Sequence, residues 1–224
     1  MSREAWRWAQ AFGAAFLAAG ACVCFVARPF RIPSASMEET LRVGDRVLVL
    51  PAAYGLRLPG TRARWPRGVP QAGDLLVFAF PTEDPAEVHC TGTQAGRLWL
   101  KRVIGLPGDV VELREGALFL NGARAGAEPY AKHTAPAPCA KSPVALSSAD
   151  TQKAWEERRL DMEVGDGVRD HFGPVTVPPG AALVLGDNRD GSCDSRFWGP
   201  VWDRYTVGKA AFVYWPPSRI GFIR

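Results

Sequence analysis

The chain has 224 residues and a formal net charge of +4, with 47% hydrophobic and 22% charged residues. This length holds one β-rich domain with a tether but is short for two full globular domains, and the hydrophobic content argues against wholesale disorder. Basic residues are scattered among acidic ones, which argues against a nucleic-acid-binding surface and leaves anionic lipid as an open partner.

The N-terminal stretch 8–27 has no charged residue and consists mostly of Ala, Phe, Leu, Val, Gly and Cys. Twenty helical residues rise about 30 Å, which matches the hydrocarbon thickness of a bilayer. Trp6 and Trp8 at one end, with Arg28 and Arg31 at the other, are typical of membrane interfaces. We therefore predict one N-terminal transmembrane helix, with a cleaved signal peptide as the alternative. Charge counting on the two sides leaves its orientation open.

Beyond this stretch, short runs rich in Val, Leu, Ile and aromatic residues are bounded by Gly, Pro, Asp and Asn, which predicts a mainly β fold. Glu115-Gly116 and Asn121-Gly122 predict tight turns. The predicted strands are 46–50, 74–80, 98–104, 110–113, 117–120, 181–185 and 209–214.

The middle of the chain, residues 123–176, has a different character. Residues 131–143 are rich in Pro and Ala and predict irregular structure, whereas 149–162 predict one short amphipathic helix. This region therefore reads as a smaller insertion into a β-fold. The predicted organisation is an anchor over 1–29, a main β-domain formed by 30–122 and 177–224, and an inserted subdomain over 123–176.

Three segments carry candidate chemistry, and each has a simpler explanation. Residues 32–37, Ile-Pro-Ser-Ala-Ser-Met, could be a turn or a helix cap. Lys101 lies within an apolar strand, where a buried ammonium would lose hydration worth several kcal/mol; strand alternation also allows it to face water. Residues 186–199, dense in turn formers and opposite charges, could be a hydrogen-bonded loop.

A serine and a lysine can together form a nucleophilic site. A serine hydroxyl is a poor nucleophile until a base removes its proton, and a Ser/Lys pair is one known solution. An ordinary lysine, with a pKa of about 10.4, stays protonated near neutral pH. Trp99, Leu100 and Val103 flank Lys101 with apolar groups. Desolvation by these groups would lower the lysine pKa.

Together the three segments resemble the boxes of type I signal peptidases, in that family's order. Pro-Ser-x-Ser-Met occupies 33–37, Lys-Arg-Val-Ile-Gly-Leu-Pro-Gly-Asp occupies 101–109, and Gly-Asp-Asn-Arg-Asp-x-Ser-x-Asp-Ser-Arg occupies 186–196. Shorter boxes at 44–49 and 73–81 also match. The resemblance covers 30–109 and 177–215, whereas 123–176 has no recognisable match.

The sequence departs from the family pattern near the first and third boxes. Ala35 stands where many members have Gly, and Glu39 where Pro is common. Gly191 replaces a frequent Asn, and Cys193 fills a variable position. None of these changes removes a catalytic group, but Ala35 and Glu39 could alter the backbone around the nucleophile.

The resemblance implies a catalytic role for four side chains. Ser36 would be the nucleophile and Lys101 its general base. Ser192 would hydrogen-bond and orient the Lys101 amine. The Ser36 backbone N–H and the Ser34 hydroxyl would hold the oxyanion of the tetrahedral intermediate.

Other matched positions would support the site or line it. Asp194 and Arg196 would form a structural ion pair, with Asp187 and Arg189 in the same supporting network. The residues that correspond to pocket-lining positions are Phe30, Ile32, Met37, Leu41 and Leu100.

The implied function is that of a membrane-bound serine endopeptidase that removes signal peptides from exported precursors, with no cofactor and no metal. Its single-pass anchor would lie in the cytoplasmic membrane, with the catalytic β-domain on the outer side and close to the secretion machinery. Precursors would bind as an extended strand, with Ala one and three residues before the cut.

Three other interpretations remain open at this stage. One is a maturation protease of a conjugative transfer system on a similar fold. Another is a catalytically silent, membrane-anchored binding module. The third is a His-dependent hydrolase or zinc protein that uses His89, His133 and His171, although no HExxH or paired CxxC spacing is present.

An exported domain would expose Cys90, Cys139 and Cys193 to an oxidising compartment, whereas Cys22 and Cys24 read as small apolar residues of the span. An odd number allows one pair and a remaining thiol. We predict a Cys90–Cys139 disulfide, because both lie in turn-rich segments outside the matched boxes. It would close a loop of about fifty residues, worth on the order of 4 kcal/mol in the chain-entropy model.

Overall fold

The structure, a computed structural model, describes residues 3–21, 27–57, 64–65, 68–89, 92–135, 137–140, 142 and 144–223. This described part is mainly β, as the sequence predicts. Eight antiparallel strands form the main sheet: β1 Arg28–Arg31, β2 Arg46–Leu50, β5 Leu75–Ala79, β8 Leu98–Gly105, β13 Ala181–Leu185, β14 Val201–Trp202, β15 Thr206–Trp215 and β16 Gly221–Phe222. Their order is β1-β2-β15-β5-β8-β13-β14, with β16 paired to β15.

A second antiparallel sheet packs beside the first. Its strands are β9 Val110–Arg114, β10 Ala117–Leu120, β11 Ala123–Arg124 and β12 Phe172–Thr176, in the order β11-β10-β9-β12. Glu115 and Gly116 both have positive φ, and so do Asn121 and Gly122, as tight turns between these strands require. Two small hairpins pair β3 Leu56–Arg57 with β4 Arg64–Trp65, and β6 Val88–His89 with β7 Gly92–Thr93.

Strand alternation divides the interior into three hydrophobic clusters. β13 is buried along its whole length, because its odd residues face one cluster and its even residues face another. Leu183 thus packs with Val111 of the second sheet, and Val184 packs with Phe78 of β5. The third cluster joins Val47 of β2 to Leu100 of β8. Because both faces of β13 are covered by hydrophobic clusters, all of its residues are apolar.

Residues 123–176 share a core with the main sheet. Trp155, Leu160 and Phe172 from this region are fully buried in the cluster that contains Leu183. β12 also pairs with β9, so the region contributes a strand to the second sheet.

The helix predicted over 149–162 is interrupted, so the prediction of one continuous helix is wrong. α2 runs over Ser148–Glu156 and α3 over Leu160–Val164. Arg158, between them, has φ of 60°, and its guanidinium donates to Glu87 at 2.7 and 2.8 Å and to the Pro81 carbonyl. The positive φ of Arg158 is incompatible with a continuing right-handed helix, because L-residues visit the left-handed region only singly.

The N-terminal helix α1 covers Arg3–Ala21. Of the stretch 8–27 predicted to span a membrane, residues 22–26 lie outside the described residues. No helix within the described part of the chain is long and apolar enough to cross a membrane.

Candidate active site

Ser36 and Lys101 meet in the interior of the molecule. Ser36 lies in a single 3₁₀ turn, Ala35–Met37, which follows β1, and Lys101 lies on β8 opposite Leu76 of β5. The Lys101 Nζ donates to the Ser36 Oγ at 2.7 Å. Both side chains are buried, with 8% of Ser36 and 3% of Lys101 exposed. The pair predicted from two distant segments is therefore brought into direct contact.

The surroundings of Lys101 favour its neutral form. Burial lowers its pKa to about 8, and the nearby charges oppose one another: Asp194 and Asp187 raise the pKa, and Arg196 lowers it. Among the described residues no carboxylate forms an ion pair with the amine. The ring of Trp99, two residues earlier on the same face of β8, lies 5.1 Å from the Nζ. A large fraction of Lys101 is therefore neutral at mildly alkaline pH.

Ser34 and Ser192, the other two serines predicted to act in the site, differ in their contacts with this pair. The Ser34 Oγ is 3.3 Å from the Ser36 Oγ. The Ser192 Oγ is buried and has no hydrogen-bond partner among the described residues, so the expected bond to Lys101 is not formed here. A Cβ at Gly186 would lie 2.1 Å from the Ser192 Oγ and 2.6 Å from the Ser36 carbonyl oxygen. Only glycine at 186 allows this close approach.

Buried guanidinium groups flank the site, each with its own carboxylate. Arg102 donates to both oxygens of Asp187 at 2.8 Å. Arg196 donates to both oxygens of Asp194 at 2.8 Å, and both side chains of that pair are completely buried. Arg189 pairs with Glu128 rather than with Asp187. The four predicted supporting residues thus belong to three ion pairs, and Arg196 also donates to the Arg189 carbonyl at 2.7 Å.

Asp194 also orders the chain around the nucleophile. Its carboxylate accepts from the backbone N–H of Gly186 at 2.9 Å and from that of Arg196, at the start of the short helix α4, Ser195–Trp198. Burial alone would raise the pKa of Asp194, but the charge of Arg196 and these hydrogen bonds hold its pKa below the ordinary value. The group is therefore a charged structural support at neutral pH.

An apolar cleft of about 380 Å³ leads to Ser36 and Lys101. Of the predicted pocket residues, Phe30, Ile32, Met37 and Leu100 line it, whereas Leu41 is fully buried behind it in the same cluster. Further lining residues that the sequence did not single out as pocket residues are Gln94, Arg97, Leu98, Trp99, Gly191 and Cys193. The period of two along β8 could have indicated Trp99, but nothing in the sequence indicated Gln94 or Arg97.

Two strand edges border the cleft. β1 pairs only with β2 among the described strands. β8 pairs with β5 over residues 98–102, but on its other side it pairs with β13 only from Arg102 to Gly105. Among the described strands, the stretch 98–101 of β8 therefore has no partner on this side, beside the cleft. Open strand edges of this kind are where extended peptides add in other proteins.

The cysteines differ from the prediction. Cys193 is disulfide-bonded, whereas Cys139 carries a thiol whose Sγ lies 3.6 Å from the Gly167 carbonyl oxygen. The predicted Cys90–Cys139 disulfide is therefore wrong. Cys90 itself, like Cys22 and Cys24, lies outside the described residues. Sequence position could not reveal the pairing, because it depends on how the loops converge in the fold.

The three histidines do not form a metal site. His89 contacts Glu87 at 2.6 Å, and the His171 ring lies 3.1 Å from the Cys139 carbonyl oxygen. His133 is half exposed, near Asp190. Within the described ranges no group of three His, Cys, Asp or Glu side chains could hold a metal ion.

A serine in contact with a buried lysine, beside a cleft with open strand edges, has the make-up of a serine hydrolase that acts on peptides. Comparison with known proteins agrees. The family model for "Signal peptidase, peptidase S26" matches residues 5–215. Signal peptidase I of Pseudomonas aeruginosa is 36% identical over 213 residues, which cover 88% of this chain and 68% of that protein.

Two further relatives extend the comparison. Signal peptidase I of Pseudomonas fluorescens is 35% identical over 218 residues, which cover 89% of this chain and 69% of that protein. The chloroplastic thylakoidal processing peptidase 1 of Arabidopsis thaliana is 30% identical over 210 residues, which cover 92% and 48% respectively. The chain belongs to the signal peptidase family, peptidase S26. It is an enzyme, a serine protease of the signal-peptide-cleaving class.

Proposed function

We propose that this protein is a membrane-bound endopeptidase that removes N-terminal signal peptides from exported precursors through an acyl-enzyme on Ser36, with Lys101 as general base. The observation that carries the proposal is the 2.7 Å contact between the buried Lys101 Nζ and the Ser36 Oγ. The lowered pKa of Lys101, about 8, supports it, because a base must be neutral before it can accept the hydroxyl proton.

The first half of the reaction forms the acyl-enzyme. Neutral Lys101 accepts the hydroxyl proton as the Ser36 Oγ attacks the scissile carbonyl carbon. The negative oxygen that results is held by the Ser36 backbone N–H and the Ser34 hydroxyl. When the intermediate collapses, the Lys101 ammonium gives its proton to the leaving amine, which departs as the new N-terminus of the mature protein.

The second half releases the signal peptide. Lys101, neutral again, accepts a proton from water, and the hydroxyl that results attacks the ester carbonyl of acylated Ser36. Collapse of this second intermediate breaks the ester bond and returns the proton from Lys101 to the Ser36 Oγ. Ser192, whose buried hydroxyl has no partner among the described residues, would orient the amine during these transfers.

The precursor would bind as an extended strand between the open edges of β1 and β8. Alternate side chains of such a strand point the same way, so residues one and three before the cut face the same wall. Ile32, Met37 and Leu100 give the cleft apolar walls. Such walls would favour small apolar residues such as Ala at these two positions.

Two observations support the membrane location: an uncharged stretch near the N-terminus and a disulfide-bonded cysteine in the catalytic domain. The uncharged stretch 8–27 has the length of a membrane span. The disulfide at Cys193 fits an oxidising compartment, as expected for a catalytic domain outside the cytoplasmic membrane. Labelling of Cys139 by a membrane-impermeant thiol reagent in intact spheroplasts tests this topology, because labelling only after lysis would place the domain inside.

The activity is tested by in vitro cleavage of a model precursor that carries an A-x-A site. Ser36→Ala and Lys101→Ala should each lower kcat/KM by at least about 10⁴-fold, because the two groups act as a unit. Lys153→Ala, which removes an exposed lysine on α2, is the matched control and should cleave like wild type. Cleavage by the Lys101 variant at near wild-type rate would remove the dyad from the mechanism.

A further inference from the structure

A segment of the region 123–176 lies directly against the loop 186–194 that follows β13. We call residues 128–135 the strap. It follows β11 and contains no strand or helix, but Lys132 forms a parallel bridge with Asn188 of the loop 186–194. The backbone N–H groups of Thr134 and Ala135 both donate to the Asp190 carboxylate, at 2.5 and 2.7 Å. The strap is thus attached to this loop through main chain and side chains.

Glu128 supplies the carboxylate for a buried arginine of the loop. Arg189 is almost completely buried and donates to both oxygens of Glu128, at 2.5 and 3.0 Å. Its Nε also donates to the Gly186 carbonyl oxygen at 3.2 Å. Without Glu128 the guanidinium would stay in the interior with no counter-charge, which a protein interior tolerates poorly.

Tyr130 covers the second buried arginine of the site. The central carbon of the Arg102 guanidinium lies 4.0 Å from the centroid of the Tyr130 ring. The Tyr130 hydroxyl donates to Glu128 at 3.3 Å. Arg102 holds the Asp187 carboxylate, so Tyr130 covers the ion pair that anchors the start of the loop. A stacked arginine is fixed in its plane, which favours two-pronged binding of a carboxylate.

The strap connects through one loop residue to the nucleophile. The N–H of Lys132 donates to the Asp187 carbonyl at 2.7 Å, and its carbonyl accepts from the Arg189 N–H at 2.9 Å. Asn188, held between them, donates its backbone N–H to the Ser36 carbonyl at 3.1 Å and its side-chain amide to the Ala35 carbonyl at 3.2 Å. Two hydrogen-bonded steps therefore separate the strap from the peptide groups around Ser36.

The Lys132 side chain reaches the same turn from its other end. Its Nζ lies 3.4 Å from Glu38 and 3.5 Å from Glu39. Glu39 has φ of 90°, a conformation that proline cannot adopt and that other L-residues rarely adopt. The backbone after Ser36 is thus held in an uncommon conformation, in contact with a lysine of the strap.

We propose that Glu128 and Tyr130 of the strap are positioning residues for the reaction at Ser36. Through Arg189, Arg102 and Asn188 they fix the peptide groups on both sides of Ser36, and so the direction of its N–H toward the oxyanion. The inference rests on the proposed function, because it assigns these residues to the same site. It predicts that damage to the strap slows turnover and leaves peptide binding intact.

The test compares Glu128→Gln and Tyr130→Leu with wild type in precursor cleavage. Each should lower kcat at least about 10-fold with KM changed less than about 2-fold, because only transition-state geometry is lost. Tyr130→Phe, which keeps the ring over Arg102, should recover most of the kcat lost in the leucine variant. Glu112→Gln on β9, a half-buried glutamate outside this region that pairs with the exposed Arg114, is the matched control and should keep wild-type kcat.

A second measurement separates positioning from loss of structure. A peptide boronic acid forms a tetrahedral adduct on a serine, and its affinity should fall in proportion to kcat in the strap variants. Binding of an uncleaved precursor peptide, measured in the Ser36→Ala background, should be unchanged. Equal losses in boronate and peptide affinity, or full kcat in both variants, would overturn the inference. If Glu128→Gln does not fold, the comparison between Tyr130→Leu and Tyr130→Phe alone tests whether the strap positions Ser36.

These outcomes remain distinct from failure of the proposed function. If the wild-type protein cleaves no precursor and binds no boronate, the proposed function fails. If wild type does both and the strap variants match it, only the inference about the strap fails.

Discussion

Lys101 and Arg102 are neighbours on β8 with opposite electrostatic surroundings. Both are 3% exposed, and strand geometry directs them to opposite faces. Arg102 donates to both oxygens of Asp187, to the Thr40 hydroxyl and to the Gly73 carbonyl. Lys101 contacts the Ser36 hydroxyl and the face of Trp99 instead.

The difference shows how one strand holds a fixed cation and a proton acceptor side by side. A guanidinium does not lose its proton in proteins, so its burial requires a full set of acceptors. An amine buried with few acceptors lowers its pKa instead, here to about 8. Ion pairing and hydrogen bonds thus hold Arg102 rigidly on one face of β8, and the other face carries the amine that we propose as the base.

The largest effect on stability should come from removing the carboxylate that pairs with Arg102. Asp187→Asn leaves Arg102 buried without its counter-charge, and the free energy of unfolding should fall by about 3–5 kcal/mol in urea denaturation. The double variant Arg102→Leu/Asp187→Leu removes both charges and should recover a large part of that loss. A double variant no more stable than Asp187→Asn would show that the cost does not come from the unpaired charge.

On the catalytic side, Ser34→Ala should remove the proposed oxyanion contact, together with the 3.3 Å contact between the Ser34 and Ser36 hydroxyls. The expected loss is about 10²–10³-fold in kcat, about 3–4 kcal/mol, with KM little changed. Steady-state kinetics on a precursor peptide measures both constants. An effect confined to KM would assign Ser34 to substrate recognition.

Replacing the buried amine should stabilise the protein while it removes activity. Lowering the pKa of Lys101 from 10.5 to about 8 means that its burial costs about 3 kcal/mol at pH 7, so Lys101→Met should gain stability of that order. The unfolded state binds the extra proton between pH 8 and 10.5. Wild-type stability should therefore rise across that window, and the advantage of the variant should shrink. A difference independent of pH would contradict this explanation.

The smallest effect is expected at an exposed ion pair. Arg114 and Glu112 on β9 form a two-pronged pair with the same geometry as the buried pairs, but the Arg114 side chain is 56% exposed. Solvent screens such pairs. Glu112→Ala should leave the urea unfolding midpoint unchanged, whereas a loss comparable to that of Asp187→Asn would mean that burial does not distinguish the two classes of pair.

Much of this architecture could be predicted from local sequence patterns. The strands of β2, β8 and β13 follow from short apolar runs between turn residues, and the candidate nucleophile and base follow from three matched boxes. Alternation along β8 left open whether Lys101 or Arg102 faces water. In the structure neither does, because β8 is covered on both faces at that point.

The features that could not be predicted depend on contacts between distant segments. Glu128 and Arg189 are 61 residues apart, and no periodicity connects them. Arg158, just after the end of α2, contacts Glu87, 71 residues earlier in the chain, and no local helix breaker marks this position. The disulfide at Cys193 likewise depends on which loops meet in the fold.

The pH dependence of precursor cleavage tests the central claim most directly. Single-turnover rates on a precursor peptide, measured from pH 5 to pH 10, isolate the chemical step from product release. If Lys101 is the base that activates Ser36, the rate rises with pH as the amine loses its proton, with a midpoint near its pKa of about 8. A rate that is flat from acid pH through neutrality, or a midpoint near that of an ordinary lysine, would contradict the account.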